Sequence, residues 1–171
     1  MSNLYHFVPK NMKGDVLYPL NELKDIHPAI YEEAKSKYKG REMVMEQRIP
    51  FLNCLWNDVL HLTAVHPKDI KKALGSERNY KAFVIKPDAL EVQKTVVYLY
   101  QHKNRALKMV KDNFSQYNPD EVGQYSELPK VTKEYYKEMS EKGELPLLFV
   151  HVPHILYKAS IDTSDLEIVE V

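Results

Sequence analysis

The chain has 171 residues, with 24 basic side chains balanced by 24 acidic ones, so its formal net charge is zero. This length predicts one domain over residues 1–171, and 44% hydrophobic residues supply its core without help from metal or disulfide. The neutral balance excludes a general attraction to nucleic acid or anionic lipid and leaves only a local basic patch. The single cysteine excludes an intramolecular disulfide framework and indicates a reducing compartment.

The chain carries no visible targeting or linker segment. Its N-terminus lacks the basic and apolar regions of a secretory signal, and no apolar run is long enough to span a bilayer. There is no repeat of fixed period and no Gly/Ser linker. We therefore expect a cytoplasmic protein without membrane association.

Strand and helix signals alternate in the first third of the chain. Residues 4–8 are aromatic and β-branched and stop at Pro9, which predicts a first strand. Apolar residues four apart predict a helix over 29–38, between Pro28 and Gly40.

Residues 53–65 form the most informative stretch, because their second half alternates in character. We expect a strand with Val59, His61, Thr63 and Val65 on one face and Leu60, Leu62 and Ala64 on the other. A short helix over 67–74 should follow, with Pro67 in its first turn and Gly75 as its stop.

The rest of the chain predicts more strands than helices. Strands are expected at 81–86 and 95–100, and a helix at 131–141 that ends at Gly143. The basic segment 101–111 and the Tyr-, Asn- and Pro-rich segment 113–129 predict an irregular, partly mobile excursion. Three final strands, 147–151, 155–161 and 166–171, suggest an antiparallel meander. The predicted class is α+β, with a mixed, mainly antiparallel sheet and short peripheral helices.

Several kinds of site are excluded or disfavoured by spacing. The five glycines are isolated, which excludes P-loop and dinucleotide-binding glycine motifs. His61 and His66 are five apart and His151 and His154 flank Val152-Pro153, so neither pair presents two nitrogens on one regular face and no metal site is predicted. The carboxylate pairs Glu32-Glu33 and Asp120-Glu121 are adjacent in sequence and are expected on the surface rather than in a glycosidase site.

Two further hypotheses rest on individual residues. Cys54 is the nucleophile of a cysteine-dependent hydrolase if His61, His66 or His151 lies within hydrogen-bond reach, and otherwise a small apolar core residue. The basic segment 101–111 stands among aromatic residues, a pattern typical of single-stranded nucleic-acid surfaces and also of an ordinary solvated face.

Short signatures in chain order resemble the ADP-ribosyltransferase fold, including its DNA-modifying and RNA 2′-phosphotransferase branches. The matching pieces are Tyr5-His6, Leu60-His61-Leu62-Thr63 before a helix, the strand and acidic turn Phe83-Val84-Ile85-Lys86-Pro87-Asp88, and Val152-Pro153-His154-Ile155-Leu156. The chain departs from the pattern where Phe7-Val8-Pro9 follows the histidine, and it lacks the paired arginines and the Gly-His-Ser stretch of the phosphotransferase branch.

The resemblance implies NAD as cofactor and an acceptor on a protein or nucleic acid. It implies His6 on a ribose hydroxyl, His61 beside nicotinamide or phosphate, and a late carboxylate at the reacting centre. Glu144 is the first candidate for that carboxylate, with Glu167 and Glu170 as alternatives. The implied cofactor-binding residues are Tyr5, His6, Thr63, Tyr98 and Tyr100, with Tyr80 as another ring that can stack on nicotinamide.

The alternative from a different class is a non-enzymatic binding protein. It is favoured if no concave site collects these groups and an apolar patch is exposed instead.

Overall fold

The computed structural model of the chain describes residues 2–100 and 107–171. The α-helices in these ranges are α1 (Leu20–Ile26), α2 (Pro28–Lys35), α3 (Pro67–Leu74) and α4 (Lys130–Glu141). The strands are β1 (Leu4–Phe7), β2 (Val16–Leu17), β3 (Arg48–Ile49), β4 (Cys54–Leu55), β5 (Leu60–Leu62), β6 (Lys81–Ile85), β7 (Thr95–Tyr98), β8 (Phe114–Gln116), β9 (His154–Tyr157), β10 (Ile161–Asp162) and β11 (Ile168–Glu170). Short antiparallel sheets alternate with short helices, so the predicted α+β class is confirmed.

Two antiparallel sheets meet at the centre of the molecule. One has the strand order β5-β9-β7-β8 and the other has the order β1-β6-β11. An isolated bridge joins them, since the backbones of Tyr5 and Thr63 exchange hydrogen bonds of 2.7 and 3.1 Å. This bridge brings β1, which carries His6, alongside the end of β5, which carries His61.

The β5-β9-β7 sheet separates two cores. The alternation predicted for residues 59–65 is confirmed, because Val59 and Val65 belong to one cluster while Leu60, Leu62 and Ala64 belong to the other. The same period of two divides β7, where Val96 and Tyr98 face one core and Val97 faces the other. One core is rich in aromatic residues, mainly tyrosines together with Trp56, and the other is mainly aliphatic.

Helix α3 has the ends that its sequence predicts. His66 is the N-cap, and its Nδ1 accepts a hydrogen bond from the Lys68 backbone N–H at 3.1 Å. Gly75 follows the helix with φ of 62°, in the left-handed region where a residue with a Cβ is strained.

Helix α4 holds the segment before β9 through three side chains. Thr132 donates to the carbonyl of Val150 at 2.8 Å, the Tyr135 hydroxyl accepts from the Leu147 N–H at 3.0 Å, and Tyr136 donates to the carbonyl of Leu148. The strand predicted at 147–151 is wrong, because these backbone groups bond to α4 side chains and the segment forms a turn.

The C-terminal meander is also wrong. Strand β9 inserts between β5 and β7, β10 pairs with β2, and β11 pairs with β6, so the last strands join three different sheets.

Helix α1 was not predicted. The irregular character of 113–129 is confirmed in part, since β8 and the turn Pro119–Tyr125 anchor it through buried Tyr117, Val122 and Leu128. Most of the basic segment, residues 101–106, lies outside the described residues.

Candidate functional site

Three histidines lie on strands that adjoin one another, because β5 pairs with β9 and the Tyr5–Thr63 bridge joins β1 to β5. His6 lies on β1, His61 on β5, and His154 at the start of β9. The rings of His61 and His154 stand edge to face with their centroids 6.1 Å apart, and His6 is close enough to His61 to perturb its ionisation. The structure therefore brings His61 and His154 together, and it places His6 on the adjoining strand β1.

Each of the three imidazoles is held by a backbone carbonyl. Nδ1 of His6 lies 2.8 Å from the Phe7 oxygen, Nε2 of His61 lies 2.8 Å from the Trp56 oxygen, and Nδ1 of His154 lies 2.6 Å from the Val152 oxygen. A carbonyl only accepts, so the nitrogen that faces it carries the proton. In the neutral tautomer the second nitrogen, Nε2 of His6 and His154 and Nδ1 of His61, is then a lone-pair acceptor.

Burial keeps all three rings neutral at physiological pH. It lowers the pKa of His6 and that of His154 to about 4, against the support of their backbone hydrogen bonds. Burial also lowers the pKa of His61 well below its ordinary value, with further contributions from His154 and Lys37. His6 and His61 are nevertheless only half-buried, so solvent reaches rings that protein surrounds on most sides. The site thus offers acceptors without negative charge.

Aromatic rings pack around the histidines. The centroid of the Trp56 ring lies 4.5 Å from that of His61 and 5.7 Å from that of His154. Tyr100 stacks on His154 with the ring centroids 6.0 Å apart, and Phe149 contacts the His154 ring edge to face at 6.2 Å. We call these three histidines, together with Trp56, Tyr98, Tyr100 and Phe149, the histidine–aromatic site.

The tyrosines predicted to stack on nicotinamide take different positions. Tyr98 is 0% exposed and contacts Trp56, Tyr100, Phe114 and His154, so it forms the floor of the site. Tyr100 is buried against His151 and His154. Tyr80 lies farther out, where its ring contacts Phe7 at 5.6 Å. The rings that remain half-buried beside the histidines are Phe149 and Phe7, which are 5.9 Å apart.

The backbone is strained at two residues whose rings lie beside the histidine–aromatic site. Tyr100 and His151 have φ values of 51° and 62°, in the left-handed region that residues other than glycine seldom adopt. Their rings contact each other at 5.0 Å. Strain of about 1–3 kcal/mol per residue is typical of functional sites, where the surrounding structure maintains it.

Tyr5 and Thr63 serve as structural joints in this structure. Their backbones form the bridge between the two sheets. The Tyr5 ring packs edge to face on His66 at 5.0 Å, on the opposite face of β1 from His6, and the Thr63 hydroxyl accepts from the Val65 N–H at 3.0 Å. Both side chains are buried, and no described contact brings either of them to the three histidines.

Glu144 lies away from the histidines. It is exposed in the turn after α4, where its backbone N–H donates to Met139. The carbonyl of Glu167 accepts a hydrogen bond from the Val84 N–H, and Glu170 pairs with Lys81 at 3.4 Å. Among the described residues, no carboxylate contributes to the pKa shift of His6, His61 or His154.

Cys54 occupies the aromatic core rather than the surface of the site. It is 5% exposed and pairs with Ile49 across the β3–β4 hairpin. Burial raises the pKa of its thiol, which keeps it protonated. Within the described ranges Cys54 has no hydrogen bond to a histidine, so the contact required by the hydrolase hypothesis is not formed.

Five residues of the site or its surroundings were not predicted in that role. They are Lys37, Arg41, Trp56, Phe149 and His154. Only His154 carried a usable signal, as a polar residue at the start of an apolar strand. The described residues contain no group of three His, Cys, Asp or Glu side chains placed to hold a metal ion. In the same part of the chain, no helix is both long enough and apolar enough to cross a bilayer.

Neither a family model, nor a curated protein, nor a solved structure matches this chain.

Proposed function

We propose that the histidine–aromatic site binds NAD and transfers its ADP-ribosyl group to an acceptor on a protein or nucleic acid. The observation that carries this proposal is the packing of two neutral imidazoles, His61 and His154, among several aromatic rings, with His6 on the adjoining strand β1. Such a site offers hydrogen-bond acceptors for ribose hydroxyls and π faces for a cationic ring.

The open nitrogen of His6 suits a ribose hydroxyl, which donates a hydrogen bond to it. Phe149 is half-buried between Phe7 and His154, so its ring offers a surface for nicotinamide. In NAD this ring is a pyridinium cation, and its attraction to an aromatic face is worth about 0.5–2 kcal/mol. The Tyr98 floor supports these groups without contacting the ligand.

In the proposed reaction, the bond between nicotinamide and ribose C1′ breaks and its electron pair leaves with nicotinamide. An acceptor oxygen or nitrogen forms the new bond to C1′ and gives up a proton. The lone pair on His61 Nδ1 takes that proton, while His154 faces it at 6.1 Å between centroids. The atoms and charges balance, since NAD begins with the positive charge that the departing proton carries away.

A neutral imidazole suits this step, because the lowered pKa of His61 leaves its Nδ1 lone pair unprotonated at physiological pH. The positive charge that develops on ribose is then stabilised by ring faces and lone pairs rather than by a carboxylate.

The test combines NAD binding with nicotinamide release. Trp56 is the only tryptophan of the chain and lies in the site, so its fluorescence should change as NAD is added. Nicotinamide release and transfer of an adenylate-borne label are then measured with single-stranded DNA, RNA and protein as acceptors. Absence of a fluorescence or thermal-stability change at millimolar NAD would refute the proposal.

Matched substitutions remove one nitrogen at a time. His61→Gln keeps a donor at the ε position for the Trp56 carbonyl and removes the open Nδ1, whereas His6→Asn and His154→Asn keep the δ donor and remove the open Nε2. We expect His61→Gln to lower turnover by about 100-fold, a typical loss for a general base. His27→Gln, between α1 and α2, is the control and should retain activity. Equal activity in His61→Gln and wild type would exclude His61 as the base.

A further inference from the structure

Two cations lie beside the histidine–aromatic site on a shared aromatic support. Nζ of Lys37 is 5.2 Å and Cζ of Arg41 is 5.4 Å from the centroid of the Tyr38 ring. Arg41 also donates to the Lys37 carbonyl at 3.4 Å, which ties the two residues together. We call Lys37 and Arg41 the cation pair.

Tyr38, whose ring lies under the cation pair, is fixed by a hydrogen bond to the segment that holds His61. Tyr38 is 5% exposed, and its hydroxyl donates to Oδ1 of Asn57 at 2.8 Å. Asn57 adjoins Trp56, whose carbonyl holds His61. The ammonium of Lys37 is close enough to His6 and His61 to act on both rings. Tyr38, which carries the cation pair, is thus joined through Asn57 to the segment that holds His61.

The positive charge of the pair is not neutralised by nearby carboxylates. Glu42 accepts a hydrogen bond from the Gly40 N–H, and Glu33 accepts from Asn11. The ion pairs found across the described residues include neither Lys37 nor Arg41. Lys37 is exposed, and partial loss of hydration together with the charge of Arg41 lowers its pKa. An anion placed between the two cations relieves both costs.

We propose that Lys37 and Arg41 bind the phosphate groups of the ligand, so that the site selects a nucleotide over the corresponding nucleoside. Guanidinium and ammonium groups together are a common pair of phosphate donors, one planar and forked and the other a point charge. The inference rests on the proposed function, because NAD supplies a diphosphate between its two riboses. It adds a phosphate subsite on the segment that follows α2.

The experiment compares ligands that differ by one phosphate. Nicotinamide mononucleotide and nicotinamide riboside are titrated against wild type, Lys37→Gln, Arg41→Gln and Lys39→Gln, with Trp56 fluorescence as readout. We expect the mononucleotide to bind about ten-fold more weakly to each of the first two variants, a loss typical of one charge-assisted hydrogen bond. Riboside affinity should be unchanged, and Lys39→Gln, an exposed neighbour, should resemble wild type. Arg41→Lys should recover part of the lost affinity.

Inorganic pyrophosphate separates this inference from the proposed function. Calorimetric titration of pyrophosphate should show binding to wild type that weakens in the double variant Lys37→Gln/Arg41→Gln and at higher salt. Pyrophosphate binding without NAD binding would refute the proposed function and leave the phosphate subsite intact. NAD binding that is unchanged in the double variant would refute the phosphate subsite alone. Far-ultraviolet circular dichroism and thermal unfolding verify that each variant is folded.

Discussion

The two faces of the β5-β9-β7 sheet differ in what they bury. One face packs Leu60, Leu62, Val97 and Ile155 into a mainly aliphatic core. The opposite side of the same sheet carries His61, Tyr98 and His154 beside Trp56. Aliphatic side chains gain from burial alone, whereas each buried imidazole requires a carbonyl partner and loses its charged form. The comparison indicates that one face provides stability and that the other gives up some stability to hold polar groups.

The largest effect is expected from a cavity on the aliphatic face. Ile155 is 0% exposed at the centre of β9. Ile155→Ala should lower the free energy of unfolding by about 2–5 kcal/mol, through lost burial and the cavity left behind. Urea unfolding measures this change, and Ile155→Val, with an expected loss of about 0.5–1.5 kcal/mol, is the matched control. An Ile155→Ala loss below that of the valine variant would contradict the division of roles.

The next effect is a dependence of stability on pH that originates on the histidine face. The pKa of His154 is about 4 in the folded chain, below the reference value of about 6.5 for an unfolded chain. Between these values the unfolded chain binds more protons, so this contribution is complete above pH 6.5 and is lost as the pH falls towards 4. The full difference corresponds to about 3 kcal/mol for this residue.

Urea unfolding at several values between pH 7.5 and 4.5 tests this prediction. His154→Asn keeps the donor to the Val152 carbonyl and cannot titrate, so its stability should fall less steeply with decreasing pH than that of wild type. Ile155→Ala should be less stable at every pH but should retain the wild-type slope. Identical slopes for His154→Asn and wild type would show that the His154 pKa does not change on folding.

The smallest effect is expected from removing the Tyr98 hydroxyl while its aromatic ring stays in place. The Tyr98 hydroxyl accepts a hydrogen bond from the Lys108 N–H at 3.3 Å. Tyr98→Phe keeps the ring that supports Trp56 and His154, so it should cost about 0.5–1.5 kcal/mol of stability. Binding of NAD should be unaffected, because Tyr98 is 0% exposed. A large loss of binding would instead place the hydroxyl in contact with ligand.

Local patterns predicted much of the fold but little of how its strands assemble. Helix α3 was predicted with both of its ends, because Pro67 and Gly75 act through their own backbone conformations. The segment 147–151 has an apolar strand-like sequence, yet its backbone bonds to side chains of α4. No pattern within the segment reports those distant partners.

The sequence also predicted only part of the candidate site. His6 and His61 were expected together through a resemblance to a family, and the bridge between Tyr5 and Thr63 places their strands side by side. The carboxylate was expected at Glu144, which lies exposed after α4. Lys37 was predicted only as part of the helix over 29–38. The charge of a single lysine does not reveal which distant groups its side chain approaches.

The sequence by itself determined the alternating faces of β5, the ends of α3, the absence of glycine-rich phosphate loops and the α+β class. These properties depend on residues within a few positions of each other, through side-chain period and backbone preference. Tertiary structure alone decided that β9 lies between β5 and β7, that His154 meets His61, and that the Tyr38 ring beneath Lys37 and Arg41 is tied to Asn57. Strand pairing joins distant segments through backbone groups that every residue shares, so the choice of partner depends on the packing of the whole chain.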